Sequence, residues 1–237
     1  MSKSLLYFTF IALLLSVKNV SAQSSDNTVK VVGAMKNVMR KGQLFGTISL
    51  DTIANKQHLY GLGPIEFLKG ELLIVDGKAY QSSVISEKEM KVEENYKVKA
   101  PFFVYANIND WKEQILPDSV KSLIELENYL DTLSKDTNQP FAFRLSGIVK
   151  SAIIHIVNLP AGTKVSSPED AHQGKTSYQL TDKEVEIIGF FSKQHQAIFT
   201  HHDTFIHTHL ITKDISMMGH LEKVLFVPQK MKVYLSK

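Results

Sequence analysis

The stretch FIHTHLITKDISMMGH (205–220) holds three of the nine histidines of the chain and decides which fold must surround them. On a β-strand successive side chains alternate between faces, so His207 and His209 would project from one face, about 6.6–6.8 Å apart. Both imidazoles could then reach one ion at about 2.0–2.1 Å. A turn over residues 213–219 would return His220 to the same place. The stretch therefore predicts a three-histidine metal site, against the alternative of a chance His-x-His pair on an exposed strand.

Five other histidines give weaker indications. His201 and His202 are adjacent, so on a strand they point to opposite faces and cannot both join the cluster. His58, His172 and His195 lie in polar surroundings and are predicted to be surface residues.

The composition limits how a metal could be held. The chain has 237 residues, of which 43% are hydrophobic and 22% charged, as in a globular protein with a sizeable core. It contains no cysteine, so neither disulfides nor thiolate ligands are available. Any metal must be bound by histidine and carboxylate.

The N-terminus is typical of a secretory signal peptide over residues 1–22. Lys3 precedes an apolar run at 5–17, and Ser21-Ala22 offers a cleavage point with small side chains. The run is short for a membrane span, although an uncleaved anchor is the alternative. We expect an exported protein, periplasmic or extracellular, that has no membrane contact after cleavage.

Export would also change the charge of the chain. Removing Lys3 and Lys18 lowers the formal charge from +3 to +1. A nearly neutral protein has no electrostatic reason to bind nucleic acid. Small molecules are the expected partners, with a homodimer as one option for assembly.

The pattern before residue 140 predicts several helices and a hairpin. Apolar residues at helical spacing predict a helix over 31–39 that ends at Gly42, and a short helix is expected after Ser49. Two apolar strands flank Asp76-Gly77, a turn pair that tolerates positive φ. Asp118 is predicted to cap the clearest helix of the chain.

A second set of expected elements consists mainly of strands. These are a strand at 101–108 and, after Pro140, strands at 141–149, 152–157, 185–192, 198–211 and 221–227. The predicted class is α+β with mixed or antiparallel sheets and helices mainly in the first half. We expect one domain over 23–237, with lobes at roughly 26–139 and 140–237.

A cupin-type barrel is a structural alternative for such a site. It also uses His-x-His, then a carboxylate, for which Asp214 is available, then a distant histidine. In this chain His220 returns too soon, and the helical first half is unlike a small jelly roll.

Four blocks of the chain, taken in order, resemble the α-acetolactate decarboxylase family. GAMKNVMRKGQLFGTISLDTIANKQHLYGLGPIEF (33–67) resembles the opening of the family, and LKGELLIVDGKAYQ (68–81) its "LDGE…LDG…YQ" segment. FAFRLSGIVKSAIIHI (141–156) follows its mid-chain strand pair. IHTHLITKDISMMGH (206–220) is similar to "YHLHFI…D…GGH", with the same spacing of the three histidines.

The resemblance implies a two-lobed α+β fold with Zn²⁺ bound by His207, His209 and His220. It also points to Glu71 as an active-site carboxylate. The implied reaction is decarboxylation of 2-acetolactate, or a close 2-hydroxy-3-keto acid, to acetoin and carbon dioxide. Without the resemblance, Glu71 would be interpreted as a solvent-facing strand residue.

The chain departs from the family pattern at several positions. Lys69 replaces an acid, Pro64 replaces a threonine, and the arginine of the family falls on His155, a candidate substrate-binding residue. No counterpart is expected for the glutamate of the family's C-terminal tail. Histidine cannot reproduce the bidentate grip of arginine on a carboxylate, so Arg144 or Lys150 is an alternative anion partner. The rival hypotheses are a different specificity and a metal-binding protein without turnover.

Overall fold

The computed structural model describes residues 27–134 and 139–236. The signal peptide predicted at 1–22 lies outside these residues. Within them, no helix is long and apolar enough to cross a membrane.

Thirteen strands and three α-helices make up the described part of the chain. In chain order they are β1 (Lys30–Gly33), α1 (Met35–Lys41), β2 (Ile48–Ser49), β3 (Leu59–Pro64), β4 (Glu71–Val75), β5 (Lys78–Ser86), β6 (Glu89–Glu94), β7 (Lys99–Ala100), β8 (Phe102–Asn107), β9 (Lys112–Ile115), α2 (Leu123–Leu133), β10 (Phe141–Ile156), α3 (Pro168–Ala171), β11 (Thr176–Phe191), β12 (Ile206–Thr212) and β13 (Met218–Leu235).

Two antiparallel sheets carry the architecture. The first has the order β1-β8-β3-β4-β5-β6, and the second has the order β10-β11-β12-β13-β9. Strand β10 also pairs with β13, so strands β10 to β13 of the second sheet close on themselves. β2 and β7 form a small separate ribbon. The predicted α+β class with antiparallel sheets and few, mainly early helices is confirmed.

Alternation along the strands of the second sheet separates two cores. Ile187 and Leu210 belong to the cluster that includes the buried side of α2. Their chain neighbours Ile188 and Ile211 belong to the cluster that includes inner residues of the first sheet. Because side chains alternate along a strand, one face of the second sheet packs on α2 and the other on the first sheet. The residues of β12 that share the parity of Ile211 therefore face the first sheet.

The first two predicted helices are shorter than expected. Residues 30–33 form a strand, and α1 begins at Met35 after Gly33, whose φ of 70° breaks the helical repeat. The predicted end is confirmed, since Gly42 adopts a left-handed conformation with φ 62°. Only a 3₁₀ turn at Leu50–Thr52 follows Ser49.

The cap predicted for α2 is wrong. The hydroxyl of Ser122 accepts a hydrogen bond from Glu125 N, so the helix begins at Leu123. Asp118 lies before the helix and accepts a hydrogen bond from Gln229 instead. Ile124 in the first turn of α2 is 75% exposed.

The predicted strands differ from the observed strands mainly in where they begin and end. The hairpin is confirmed, with Asp76 and Gly77 at φ 46° and 79° in a two-residue turn. The strand predicted at 101–108 is confirmed as β8. The strands predicted at 141–149 and 152–157 are one strand, β10, whose register shifts absorb the break. The strand predicted at 198–211 is wrong before residue 206, where the chain forms a loop.

The division into lobes at residues 139 and 140 stays a prediction. Strand β9 precedes that boundary but pairs with β13 of the second sheet. Leu126 and Leu130 of α2 also pack into the core of the second sheet.

Candidate metal centre and active site

His207, His209 and His220 lie together, as predicted. His209 stands directly opposite His220 in the register of β12 and β13. The ring centroids of His207 and His209 are 5.1 Å apart, and those of His207 and His220 are 5.0 Å apart. One nitrogen from each of the three rings lies within 4.8 Å of the others. The period-two alternation and the return turn together create a group that could hold a metal ion.

The ring nitrogens of this group fit a metal. Both nitrogens of His209 and Nδ1 of His207 are buried without a hydrogen-bond partner in the described part of the chain. Each ring can offer only one nitrogen to an ion, so a bound metal would account for one of the two unpaired nitrogens of His209. His207 Nε2 and His220 Nδ1 are 3.2 Å apart. That separation is close to the roughly 3.3–3.4 Å between two ligand atoms of a tetrahedral zinc ion.

Burial keeps these imidazoles neutral, which is the form that binds metal. It lowers the pKa of His209 to about 3 and lowers the pKa of His207 and of His220 well below 6.5, with repulsion from neighbouring histidines adding to the effect. The backbone of Phe199 opposes the pKa shift of His207, and that of Leu72 opposes the shift of His209. Such a contact orients an imidazole through one ring nitrogen and leaves the other nitrogen to face an ion.

Glu71 lies beside the three histidines and is only 3% exposed. Its Oε1 accepts a hydrogen bond from Val157 N at 3.2 Å, and its Oε2 lies 3.6 Å from His209 Nε2. On β4, Glu71 shares a face with Leu73, which packs in the core between the two sheets. The interpretation of Glu71 as solvent-facing is therefore wrong, because this face of β4 is covered by the second sheet.

The pKa of Glu71 is raised well above its usual value of 4.5, because burial disfavours the carboxylate and only the hydrogen bond from Val157 opposes the rise. A carboxyl group held in this way stays protonated at higher pH than an exposed one. It is the type of group that can deliver a proton inside a closed site.

A tight turn before β4 positions Glu71. Gly70 has φ 153°, and a Cβ at this position would lie 2.1 Å from the backbone oxygen of Ser82. Only glycine fits there. Lys69 donates from Nζ to the backbone oxygen of Leu159 at 2.5 Å. The residue that replaces an acid of the family pattern thus ties this turn to the segment after β10.

His155 lies against the metal ligands. Its ring centroid is 4.6 Å from that of His220, and the two residues are cross-strand neighbours on β10 and β13. Its Nδ1 lies 3.0 Å from Glu222 Oε1, which also accepts from Lys175 Nζ at 2.5 Å. Burial lowers the pKa of His155. A neutral imidazole in this position can donate one hydrogen bond to Glu222.

Two further histidines reach the site although their sequence context gave little sign of it. His201 Nε2 lies 3.4 Å from His220 Nε2, and burial lowers the pKa of His201 to about 4. The neighbouring His202 is exposed, so the prediction that the two cannot both join the cluster is confirmed, although they lie in a loop rather than on a strand. His172 was expected at the surface, but it is half-buried with its ring 6.1 Å from that of His155.

The remaining two histidines lie elsewhere. His58 is exposed and contacts Asp76, as expected for a surface residue. His195 is half-buried and hydrogen-bonded to Ser192 Oγ at 2.8 Å.

A cleft of about 730 Å³ opens beside His220. It is large enough for a small organic substrate with solvent. Its wall includes His155, His172, His201, Lys175 and Glu222. A small void of about 20 Å³ shares His155, His172, His201 and His220 with the cleft and is also lined by Glu71, His207 and Pro64. The proline that replaces a threonine of the family pattern therefore lines the site without offering a hydroxyl.

Other candidate charges lie away from the site. Arg144 forms an ion pair with Glu186, Nε to Oε1 at 2.6 Å, and Lys150 pairs with Asp182 at 3.0 Å. Neither Arg144 nor Lys150 lines the cleft. Asp214, the carboxylate of the cupin alternative, is exposed in the turn after β12 and hydrogen-bonds Ser216. The cupin alternative and both of these anion partners are therefore excluded.

Comparison with known proteins gives concordant results. The chain is 23% identical over 181 residues to the alpha-acetolactate decarboxylase of Streptococcus thermophilus, covering 74% of this chain and 71% of that protein. The fold matches acetolactate decarboxylase from Bacillus subtilis subspecies spizizenii with a TM-score of 0.73, 19% identity, and coverage of 88% and 85% of the two chains. A Staphylococcus aureus protein of unknown function, described as similar to alpha-acetolactate decarboxylase, matches with a TM-score of 0.70, 18% identity, and coverage of 88% and 85%.

The family model for alpha-acetolactate decarboxylase matches residues 32–237. That match spans both sheets and includes all three histidines, Glu71 and His155. The chain belongs to the alpha-acetolactate decarboxylase family.

Proposed function

We propose that this protein decarboxylates 2-acetolactate, or a close 2-hydroxy-3-keto acid, to acetoin and carbon dioxide. The observation that carries the proposal is that two buried imidazoles, of His207 and His209, and the half-buried imidazole of His220 meet a buried carboxyl group beside an open cleft. Family membership makes carboxy-lyase activity the expected chemistry. Zinc is the proposed metal, because three histidines that leave one position open are typical of catalytic zinc.

His207, His209 and His220 would hold the ion. When bound, zinc supplies Lewis acidity that polarises the ketone of the substrate and stabilises the negative charge left as carbon dioxide departs. The bond between C1 and C2 breaks, and its electron pair stays with the organic fragment. A proton must then be added to C2 to complete acetoin.

Glu71 is the proposed proton donor. Its carboxyl group is buried and held by Val157 N, and its other oxygen points towards His209. The raised pKa of Glu71 favours the protonated form that can give up its proton in the closed site. The same burial excludes bulk water, which would otherwise compete to protonate the fragment.

An assay with racemic 2-acetolactate, with and without chelator, tests the proposal. We expect acetoin formation that stops when the metal is removed and returns with added zinc. Elemental analysis should find about one zinc ion per chain. Purified, zinc-supplemented protein that carries no metal, or that leaves acetolactate untouched, would contradict the proposal.

A different specificity is the second candidate, favoured by the groups that replace those of the family pattern. His155 and Pro64 stand where the family has arginine and threonine. A screen of related 2-hydroxy-3-keto acids separates this candidate from the first. Turnover of another member of the series, with acetolactate inert, would favour it, whereas metal binding without any turnover would favour a binding protein.

We also propose that the protein is exported after cleavage near Gln23. The support is the N-terminal pattern of a short positive start, an apolar run and small residues. N-terminal sequencing of periplasmic or secreted protein should begin near Gln23. An intact N-terminus on protein that only detergent extracts would favour the anchor.

A further inference from the structure

The cleft beside His220 has a cationic group that the family pattern did not single out. Lys175 lies between α3 and β11, with its side chain 31% exposed. Its Nζ donates to Glu222 Oε1 at 2.5 Å, and its backbone N donates to His172 O at 3.1 Å. The first contact orients the ammonium group and the second fixes the backbone, so Lys175 is held at the wall of the cleft.

Glu222 connects this lysine to the metal ligands. The same Oε1 that contacts Lys175 lies 3.0 Å from Nδ1 of His155, whose ring packs against His220. Because both contacts are made to the same oxygen, Glu222 places the ammonium group of Lys175 close to His155, the position where the family has arginine.

Other charged groups of the cleft are less suited to bind an anion. Lys223 also lines the cleft, but its side chain is exposed and has no described partner that fixes it. Glu127 and Asp203 are acids, and Glu127 accepts a hydrogen bond from Phe205 N. Lys175 is thus the cation that the fold holds in place beside the proposed metal site.

We propose that Lys175 binds the carboxylate of the substrate, with Glu222 as its positioning residue, in place of the missing arginine. This inference rests on the proposed function. The described contacts use one of the three N–H donors of the ammonium group, so two remain for a ligand. A lysine acts as a point charge rather than a fork, and Glu222 supplies the orientation that the side chain itself lacks.

The chemistry predicts how this anchor affects turnover. The carboxylate is charged in the bound substrate and leaves as neutral carbon dioxide, so an ion pair with Lys175 stabilises the ground state at least as much as the transition state. Such binding lowers KM without raising kcat. Loss of Lys175 should therefore raise KM while kcat stays the same or increases, unlike loss of a proton donor.

The experiment compares zinc-loaded wild-type protein with Lys175→Ala, Lys175→Arg and Lys223→Ala. Steady-state kinetics with acetolactate give kcat and KM. Calorimetry measures binding of 2-hydroxyisobutyrate, an unreactive 2-hydroxy acid, and of its uncharged amide. Lys223→Ala is the matched control, because it removes another lysine of the same cleft, and Glu222 does not contact that lysine.

Lys175→Ala should raise KM and weaken binding of 2-hydroxyisobutyrate by about 10- to 100-fold, the usual effect of losing a charged hydrogen bond. Binding of the amide should not change. Lys175→Arg should restore binding to within a few-fold, which also shows that the fold tolerates substitution, and Lys223→Ala should resemble wild type. Unchanged KM and unchanged probe binding in Lys175→Ala would overturn the inference, as would a lower kcat at constant KM.

The two proposals fail in different ways. If wild-type protein makes no acetoin but binds 2-hydroxyisobutyrate in a Lys175-dependent manner, the proposed reaction is wrong and the anion site stands. If wild-type protein makes acetoin and Lys175→Ala has wild-type KM, the anion site is wrong and the reaction stands.

Discussion

Replacing Glu71 with glutamine should have opposite effects on turnover and on stability. The substitution keeps the shape of the side chain and an acceptor for Val157 N, but it removes the proton that the carboxyl group would deliver. A positioned proton-transfer group contributes about 10²- to 10⁴-fold, so kcat should fall by that factor, equivalent to about 2.7–5.4 kcal/mol in the activation barrier. Zinc content should not change, because the three imidazoles remain.

The stability effect follows from the raised pKa of Glu71. The unfolded chain releases this proton near pH 4.5, while the folded protein retains it to higher pH. The contribution of Glu71 to the free energy of unfolding is therefore fully present below the pKa of the unfolded state. It decreases as the pH rises towards the pKa of the folded state. Each unit by which the pKa is raised costs the folded protein about 1.4 kcal/mol at neutral pH. Glutamine does not ionise, so metal-free Glu71→Gln should unfold at a higher temperature than metal-free wild type at pH 7, but not at pH 4.

Thermal unfolding of the metal-free proteins at several pH values measures this difference. Metal-free protein is required, because a bound cation would itself lower the pKa of Glu71. Glu94→Gln is the matched control, since it makes the same chemical change at an exposed position on the same sheet. If Glu71→Gln turns over substrate as fast as wild type, Glu71 is not the proton donor. A pH-independent difference in unfolding temperature would show that ionisation of Glu71 is not what costs stability.

Three further predictions concern the metal and its surroundings. His207→Ala and His209→Ala should each lose most of the zinc, as elemental analysis would show, whereas His202→Ala should keep it because that side chain is exposed. Zinc at 1,000 times its dissociation constant should stabilise the fold by about 4 kcal/mol, which raises the unfolding temperature measured by calorimetry by roughly 8–16 °C. An unchanged unfolding temperature would argue against a site that forms only in the folded state. Burial lowers the pKa of all three imidazoles, with His209 at about 3, so zinc should stay bound below pH 6.5, where ordinary histidines begin to release metal. Equilibrium dialysis down to pH 5 would test this.

The histidine triad was predictable because its information is local. His207 and His209 share a face by the period of a strand, and the distance along the chain to His220 matches a turn and return. The hairpin at Asp76-Gly77 was predictable for the same reason, since two adjacent residues determine the turn.

Burial of Glu71 was not predictable from the pattern of its own strand. Alternation places Glu71 with Leu73 on one face and Leu72 with Ile74 on the other, and both faces are apolar apart from the glutamate. Whether the glutamate faces solvent depends on the second sheet, which is distant in sequence. Resemblance to a family supplied that information, because it relates whole folds rather than single strands.

His201 and Lys175 were missed for a related reason. Both lie in loops, where no periodicity indicates the direction of a side chain. Their partners are distant in the chain: His220 lies 19 residues after His201, and Glu222 lies 47 residues after Lys175. The pairing of β12 with β13 brings His201 to His220, and the closure of β10 against β13 brings Lys175 to Glu222.

The turn that joins β12 to β13 shows why the metal and the fold depend on each other. A slip of one residue between these strands would move His220 to the opposite face, away from His209. The turn fixes the register at a cost, because Ile215 is β-branched and has φ 58°, a conformation that such residues rarely adopt. Asp214 offsets this strain by accepting hydrogen bonds from Thr212 Oγ1 at 2.6 Å and from the backbone and hydroxyl of Ser216. A metal bound across His209 and His220 would favour the same register, so metal affinity and the stability of this hairpin are thermodynamically linked.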